Sequence, residues 1–264
     1  MSLVIEKDAP WALVTGATGG LGLQFCELLA ARGYRLVITA RDTARLAEMR
    51  ELIPQAQLAL AGDLTDPVCL KNLLNHLKRE NIEPEVLINN AGFGLYGETL
   101  EQNSAENINL VDLNVRALTT LTLALAPSMR AKRKGYILNV ASIAAFMPCP
   151  YLSVYGASKA YVLSFSEALH EELKTEGVHV TALCPGPVKT NFWNRAGVSE
   201  CDRFEFAITD ARSVAERGLS ALFKNKALAT YGILNKLLTV LSQLAPKGLT
   251  RLIAKEVLRL AVKK

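Results

Sequence analysis

The sequence predicts an α/β protein with one domain, a doubly wound parallel sheet that carries helices on both faces. Short runs rich in Val, Ile and Leu alternate with longer helical patterns, and this alternation is typical of a parallel sheet wound with helices. Several of the predicted strands are apolar throughout, as expected for strands that are covered on both faces. No Pro/Gly-rich linker, internal repeat or low-complexity tract divides the 264 residues.

Strands and helices are predicted in strict alternation. The strands span residues 12–16, 35–40, 56–62, 85–92, 135–142 and 178–186. The helical patterns between them span residues 20–33, 42–53, 66–80, 106–132 and 155–177. Ligands of such sheets bind at the carboxyl ends of the strands. We therefore expect the functional residues to follow the strands directly.

Composition excludes several classes of protein. Half of the residues are apolar, which is enough for a large buried core. The N-terminal residues include an acid and a proline where a signal peptide needs an apolar core, so we expect no targeting segment and a cytoplasmic protein. The histidines are scattered, and neither a metal site nor a nucleic-acid partner is predicted. An odd number of cysteines without a C-x-x-C pair argues against a disulfide framework, and they lie at positions 26, 69, 149, 184 and 201.

Positive charge is concentrated at the end of the chain. The net charge is +5, but the stretch from Lys224 to Lys264 contains nine Lys/Arg residues and one acid, Glu256. We therefore divide the chain into a body, residues 1–230, and a basic amphipathic helical extension, residues 231–264. Three interpretations of the extension stay open: a helix pair docked on the body or on a second subunit, a peripheral contact with an anionic membrane, or a contact with an acyl-CoA or an acidic acyl carrier protein.

A glycine-rich segment, TGATGGLG at residues 15–22, ends the first predicted strand and begins the first helix. Glycines let a backbone approach a pyrophosphate, and a helix N-terminus offers free N–H groups to its charge. The spacing differs from the G-x-G-x-x-G pattern, and a tight turn without a ligand is the alternative. The position on the first strand of a parallel sheet favours a dinucleotide site.

The end of the second predicted strand indicates which dinucleotide is bound. A carboxylate there holds the 2′-hydroxyl of NAD, whereas an arginine accommodates the 2′-phosphate of NADP. Arg41 directly follows the strand, and Asp42 precedes a helical pattern as an N-cap residue would. We therefore predict NADP(H) as the cofactor, with Asp42 and NAD(H) as the alternative.

Tyr155 and Lys159 lie four residues apart in the helical segment SVYGASKAYVLSF, so their side chains share one face. An ammonium about 4 Å from a phenol, at an effective dielectric constant of ~20, favours the phenolate by ~4 kcal/mol, or about three pKa units. That shift would bring the pKa of Tyr155 near 7, where a general acid–base works best. The alternative is that Tyr155 only packs and Lys159 is solvated.

Six motifs together give the sequence a family resemblance. They are TGATGGLG, NNAG at 89–92, Asn114 in DLNVRAL, Ser142 in NVASI, YGASK at 155–159 and PGPVKT at 185–190. In their order and intervals the sequence resembles the compact form of the short-chain dehydrogenase/reductase family over about residues 10–230. The resemblance implies a Rossmann-type fold, reduction of a carbonyl or its reverse, and a homodimer or homotetramer.

The resemblance also implies roles for single residues. Tyr155 would be the catalytic acid–base, and Lys159 would lower its pKa and bind the nicotinamide ribose. Ser142 would hydrogen-bond the substrate oxygen, and Asn114 would hold a water that links Lys159 to solvent. The implied cofactor-binding residues are Gly16, Thr18, Gly20, Leu21 and Gly22 at the phosphates and ribose, Arg41 at the 2′-phosphate, Asp63 at the adenine, Asn90, Ala91 and Gly92 at the adenine ribose, and Pro185, Gly186, Val188 and Thr190 at the nicotinamide.

Aromatic residues predict an apolar substrate. The resemblance implies a lid over the substrate at about residues 191–212, and an apolar carbonyl compound such as a fatty acyl chain, a steroid or a terpenoid ketone suits its aromatic lining. The alternative is that these residues only pack the lid on the body. A catalytically inactive dinucleotide-sensing or scaffold protein and a nucleotide-sugar epimerase are the competing functions. The expected lining residues are Phe93, Tyr96, Phe146, Met147, Tyr151, Phe192, Trp193, Phe204 and Phe206, with Arg195 as a charged neighbour.

Overall fold

A computed structural model describes residues 8–189, 196 and 209–261 of the chain. Its sheet has seven parallel strands in the order β3-β2-β1-β4-β5-β6-β7. The doubly wound α/β fold predicted from the sequence is confirmed. The strands are β1 (Trp11–Thr15), β2 (Arg35–Ala40), β3 (Leu58–Ala61), β4 (Pro84–Asn89), β5 (Gly135–Val140), β6 (Val178–Cys184) and β7 (Leu228–Thr230).

The helices alternate with these strands and continue beyond them. A π-helical turn (Asp112–Ala117) joins α4 to α5, and a 3₁₀ turn (Ile143–Phe146) follows β5. The α-helices are α1 (Gly20–Ala30), α2 (Thr43–Leu52), α3 (Pro67–Arg79), α4 (Ser104–Val111), α5 (Leu118–Ala131), α6 (Ser153–Leu173), α7 (Ala211–Phe223), α8 (Ile233–Leu244) and α9 (Lys247–Ala261).

Two hydrophobic layers cover the sheet. On one face α1 and α7 pack together, and their buried side chains include Phe25 and Leu219. On the other face α3 and α5 contribute Leu77 and Leu121. The strands between these layers are buried on both sides, which explains their uninterrupted apolar composition.

The seventh strand was missed by the sequence analysis. β7 has three residues and pairs with Ala182, Leu183 and Cys184 of β6. Its sequence, LAT, is too short to show a period, so only the neighbouring strand identifies it. The division of the chain at residue 230 stays a prediction, although β7 ends at that residue.

The helical run Ser104–Ala131 is long and apolar enough to cross a membrane by length and composition. Its second half lies against the sheet, and Leu121, Leu125 and Met129 are buried in the core. We therefore interpret this run as a core helix.

Strand order determines where a ligand can bind. β1 lies between β2 and β4, so the chain leaves β1 toward one edge of the sheet and later continues from β4 toward the other. This reversal opens a crevice at the carboxyl ends of β1 and β4, the usual ligand site of such sheets.

Candidate active site

The glycine turn after β1 has a geometry that only glycines permit. Gly16 has a φ of +63°, and a Cβ added there would lie 2.9 Å from the Cα of Ala91. A Cβ on Gly22 would lie 2.2 Å from the carbonyl oxygen of Gly16. Both glycines therefore shape the turn, and Gly22 lies behind the cavity wall rather than in it.

Asn90 holds this turn against the end of β4. Its Nδ2 donates to the carbonyl oxygens of Thr15 (2.9 Å) and Gly16 (3.1 Å). The Thr15 hydroxyl accepts hydrogen bonds from the backbone N–H groups of Asn90 and Ala91, both at 3.0 Å. The NNAG motif therefore holds the end of β4 against the glycine turn that follows β1.

The N-terminus of α1 is open to an anion. Its N-cap is Gly19, which makes no side-chain capping bond, and its first turn contains no acid. In contrast, α2, α3, α4 and α7 are each capped by an Asp or Asn side chain, whereas α6 and α8 have no side-chain cap either. Uncapped N–H groups attract a phosphate, so this turn fits the pyrophosphate of a dinucleotide.

Two arginines and one acid follow β2. Asp42 caps α2 by accepting a hydrogen bond from the Arg45 backbone N–H at 3.0 Å. Arg41 and Arg45 both line the cavity, and Arg45 also pairs with Glu48 at 2.9 Å. The sequence analysis expected the cap and Arg41 but missed Arg45, whose position beside the cavity depends on how α2 is placed.

The side chains of Ser142, Tyr155 and Lys159 all line the same cavity at the carboxyl end of β5. Lys159 Nζ donates to the carbonyl oxygen of Val140 at 2.7 Å, which fixes α6 against β5. The same nitrogen lies 5.8 Å from the centroid of the Tyr155 ring. The hydroxyl of Ser142 accepts a hydrogen bond from the Ala144 N–H at 3.1 Å and lies within hydrogen-bond reach of Tyr155.

The expected direction of the Tyr155 pKa shift is wrong in this structure. Burial raises the pKa of Tyr155 to about 12, although a hydrogen bond with Ser142 acts in the opposite direction. Burial also lowers the pKa of Lys159 to about 8. The sequence argument counted the charge of Lys159 but left out the desolvation of both groups, and desolvation is the larger effect. Tyr155 is therefore protonated at neutral pH.

Asn114 lies in the π-helical turn, directly behind the cavity wall. Its Nδ2 donates to the Phe93 carbonyl oxygen at 2.9 Å and to Ser158 Oγ at 3.1 Å, while its Oδ1 accepts from the Phe93 N–H at 3.1 Å. A Cβ on Gly92 would lie 2.9 Å from Asn114 Oδ1 and 3.4 Å from Lys159 Nζ. Asn114 and Lys159 therefore both lie beside Gly92, and π-helical turns are common at functional sites. No local feature of the sequence predicts the π-helical turn.

The cavity has a volume of about 1070 Å³ and runs from the glycine turn to Tyr155 and beyond. Most of the predicted cofactor residues line it. They are Gly16, Thr18, Gly20, Leu21, Arg41, Asp63, Asn90, Ala91, Gly92, Pro185, Gly186 and Val188. Thr190 lies outside the described residues.

The two C-terminal helices α8 and α9, here called the C-terminal hairpin, form the far wall of the cavity. Apolar side chains from both helices face the cavity, and the sequence analysis missed them. Asn235 packs against Gly186, where an added Cβ would lie 2.6 Å from its side chain. Tyr96 donates a hydrogen bond to the Leu258 carbonyl oxygen at 3.1 Å, which joins α9 to the body. The hairpin is therefore part of the site, although nothing in its own sequence indicates where it docks.

The predicted aromatic lining is confirmed for two residues and wrong for three. Phe93 and Met147 line the cavity. Tyr96 and Tyr151 lie beside each other with ring centroids 6.0 Å apart, and Phe146 packs in a core cluster. The lid residues Phe192, Trp193, Arg195, Phe204 and Phe206 lie outside the described residues, so the expected lid stays a prediction.

Similarity to known sequences covers most of the chain. Residues 10–200 match the model of a family described as short chain dehydrogenase. The chain is 36% identical over 176 residues to a probable NADP-dependent dehydrogenase of Haemophilus influenzae, a match that covers 66% of this chain and 70% of the relative. It is 34% identical over 186 residues to a very-long-chain 3-oxoacyl-CoA reductase of Rattus norvegicus, covering 68% of this chain and 60% of that longer relative.

Similarity to a solved structure covers nearly all of the chain. A short-chain dehydrogenase from Sphingobium yanoikuyae in complex with NADPH superimposes with a TM-score of 0.78 at 31% sequence identity. The superposition covers 97% of each chain.

Proposed function

The chain belongs to the short chain dehydrogenase family and is an oxidoreductase, and from that premise we propose that it reduces the carbonyl group of an apolar, acyl- or steroid-like substrate with NADPH. The main observation behind the proposal is a continuous cavity that is lined by Arg41, Arg45 and Tyr155 and by apolar side chains.

NADPH is the cofactor that the charges of the cavity favour. Arg41 and Arg45 line the cavity just after the end of β2, the region of such folds that binds the 2′-phosphate of NADP. The nearby acid Asp42 caps α2 with its side chain. The uncapped N-terminus of α1 would hold the pyrophosphate. The named cofactors of the Haemophilus relative and the Sphingobium structure support this choice. When bound, NADPH supplies the hydride.

Tyr155 would supply the proton. A carbonyl reduction needs a general acid that is protonated at working pH, and the raised pKa of about 12 keeps the Tyr155 phenol protonated. The Ser142 hydroxyl, within hydrogen-bond reach of Tyr155, would hold the carbonyl oxygen beside the phenol. The Lys159 ammonium would stabilise the phenolate that remains after proton transfer, because the Val140 carbonyl holds it close to the ring.

The shape of the cavity supports an elongated apolar substrate. Beyond Tyr155 the walls are Met147 and Leu152 from the body and Leu234, Leu238 and Leu241 from α8. Aliphatic walls of this kind gain free energy from each methylene group that a substrate buries, about 0.8 kcal/mol. A chain or ring system is therefore expected to bind better than a small polar ketone.

The proposal is tested by the consumption of NADPH across a series of ketones and 3-oxoacyl thioesters of increasing chain length. We expect kcat/KM to rise about tenfold for each two methylene groups until the cavity is full. Reactions without the protein serve as the control and should consume no NADPH. An absence of turnover with every carbonyl compound, while NADPH still binds, would instead support the dinucleotide-sensing alternative.

Cofactor choice gives a separate test. We expect a preference for NADPH over NADH of at least about tenfold, or ~1.4 kcal/mol, a modest value for a charge-assisted phosphate contact. Arg41→Ala should remove most of this preference, and Arg41→Ala combined with Arg45→Ala should remove the rest. Dissociation constants for both cofactors, measured by fluorescence titration, give the result. Equal use of NADH by the unchanged protein would return Asp42 to consideration as a ribose ligand.

A further inference from the structure

Three of the five polar side chains of helix α8 are buried or partly buried, whereas Lys236 and Gln243 are exposed. Asn235 and Thr239 are each 6% exposed, and Ser242, one turn further on, is partly buried. Each of the three donates a hydrogen bond to a backbone carbonyl of its own segment, at 2.8 Å. The stripe of α8 that packs on the body is thus polar, the reverse of an ordinary surface helix.

The opposite stripe of α8 is apolar and exposed. Ile233, Leu237, Val240 and Leu244 follow each other at helical spacing, and their side chains are 87%, 53%, 52% and 78% exposed. They lie outside the cavity lining, which uses the neighbouring residues of the helix. Apolar side chains arranged in one exposed stripe mark a surface that binds a partner.

Helix α9 carries a row of positive charges. Lys247, Arg251, Lys255 and Arg259 recur every four residues, so they share one side of the helix. Glu256 is the one acid of α9 and pairs with Arg259 at 2.7 Å. The apolar residues Leu249 and Leu252 are 51% and 60% exposed.

We propose that the C-terminal hairpin docks flat on an anionic lipid surface. The exposed stripe of α8 would enter the boundary between headgroups and acyl chains, and the cations of α9 would contact the lipid phosphates. α8 has twelve residues, which is too short to span a bilayer, so the contact is peripheral.

Charge favours a lipid surface over a second copy of the chain. In a two-fold symmetric dimer that pairs this surface with itself, both partners bring the same excess of positive charge to the interface. Lipid phosphates have the opposite sign. Both occupants would cover the apolar stripe, but the lipid surface alone complements its charge.

The test uses the full-length protein and sedimentation with two kinds of vesicle, phosphatidylcholine alone and phosphatidylcholine with about one third phosphatidylglycerol. We expect binding to the anionic vesicles that is at least tenfold stronger than to the neutral ones and that weakens at high salt. Equal binding to both kinds, or no binding to either, would overturn the proposal.

Matched variants locate the contact. Leu237→Ser with Leu244→Ser removes two residues of the apolar stripe and should lower the vesicle partition coefficient at least tenfold. The control, Leu52→Ser with Leu100→Ser, removes two side chains that are 76% and 97% exposed elsewhere on the body. This control should bind as the unchanged protein does. An equal loss in both pairs would contradict the proposal.

A second pair of variants tests the charges. Arg251→Gln with Lys255→Gln should weaken binding to anionic vesicles about thirtyfold, since each cation near such a surface contributes about 1 kcal/mol. Lys71→Gln with Lys78→Gln makes the same charge change on exposed positions of α3 and should have little effect.

Light scattering tests whether a second copy of the chain, rather than a lipid surface, covers the apolar stripe. A dimer of the unchanged protein that becomes a monomer in Leu237→Ser with Leu244→Ser, together with no vesicle binding, would assign the surface to a second copy and reject the lipid contact. Retention of the oligomeric state, with vesicle binding lost, supports the lipid contact and shows that the variant is folded.

Discussion

The nucleotide side of the cavity and the C-terminal hairpin form two walls of one site, but they are built by different means. The nucleotide side consists of tight turns in which a single carbon atom would not fit, such as Gly22 against Gly16. The hairpin consists of two regular helices, and at Gly248 an added Cβ would contact nothing. The backbone conformation of its turns therefore determines the shape of the nucleotide side, whereas the side chains that line the cavity determine the shape of the hairpin side.

The largest difference between the walls should appear in catalysis. Tyr155→Phe removes the transferable proton but keeps the buried ring, so kcat should fall by about 10³-fold while the affinity for NADPH stays within a few-fold. The matched change on the other wall, Leu238→Ser, should leave kcat for a small ketone nearly unchanged. Steady-state kinetics with cofactor titration give both numbers. Activity of Tyr155→Phe close to that of the unchanged protein would refute the role of Tyr155.

The two walls also differ in buried charge, because Lys159 is buried whereas the hairpin lysines are exposed, and this difference should appear in the pH dependence of stability. The pKa of Lys159 is lowered from 10.5 to about 8, so between these values the unfolded chain binds a proton that the folded chain does not. The contribution of Lys159 to stability should therefore rise with pH across this window, by up to about 3 kcal/mol. The buried thiols of Cys26, Cys149 and Cys184 act in the opposite direction, because burial raises their pKa above 9.0. The contribution of Lys159 is therefore the difference between the unchanged protein and Lys159→Met, whose stability should fall more steeply, or rise less, with pH.

The hairpin provides the control for this experiment. Lys255 is exposed on α9, so Lys255→Met should keep the pH dependence of the unchanged protein between pH 8 and 10.5. Urea unfolding at pH 8, 9 and 10 measures all three proteins. The same slope in Lys159→Met and in the unchanged protein would contradict the burial of this charge.

Tolerance to one added carbon compares the two walls directly. Gly22→Ala places a methyl group against the Gly16 carbonyl oxygen and should cost about 1–3 kcal/mol of unfolding free energy, with weaker NADPH binding. Gly248→Ala in α9 should be neutral or stabilising by up to about 1 kcal/mol, because Ala favours helix over Gly. Chemical denaturation separates the two. A Gly22→Ala protein as stable as the unchanged one would show that the turn can relax.

The smallest effect concerns the fit of the substrate. Leu238 lines the cavity and its neighbour Leu237 faces outward, so the two residues differ in little but orientation. Leu238→Ser should raise KM for a long-chain ketone about fivefold, or ~1 kcal/mol, and leave a short ketone unaffected. Leu237→Ser should change neither value. Equal effects of both variants would show that the hairpin does not contact the substrate.

The features that the sequence predicted correctly belong mostly to the nucleotide side of the cavity rather than to the C-terminal hairpin. The strand–helix alternation, the glycine turn, the Asp42 cap and the positions of Ser142, Tyr155 and Lys159 were predictable, because each depends on local backbone geometry or on a fixed spacing along the chain. They are confirmed as elements of the fold and as neighbours in one cavity, while their chemical roles stay proposals.

The rest depends on contacts between distant segments. The pKa of Tyr155 is determined by burial under residues from several elements, which the Tyr–Lys spacing does not contain. The π-turn at Asn114 and the short strand β7 have no periodic signal of their own. A helix pair docked on the body was one of the interpretations left open, and the structure places the hairpin there. The inward polar stripe of α8 was not predictable, because an amphipathic helix ordinarily buries its apolar stripe.

The most direct test of the central claim follows the hydride itself. The full-length protein is incubated with a long-chain ketone and NADPH that carries deuterium at both C4 positions of the nicotinamide, and the product is analysed by mass spectrometry. The account predicts an alcohol with one deuterium on the carbinol carbon, formed at least a hundredfold more slowly by Tyr155→Phe. Alcohol without deuterium, or oxidation of NADPH without any alcohol, would contradict hydride transfer from this cofactor to an apolar carbonyl.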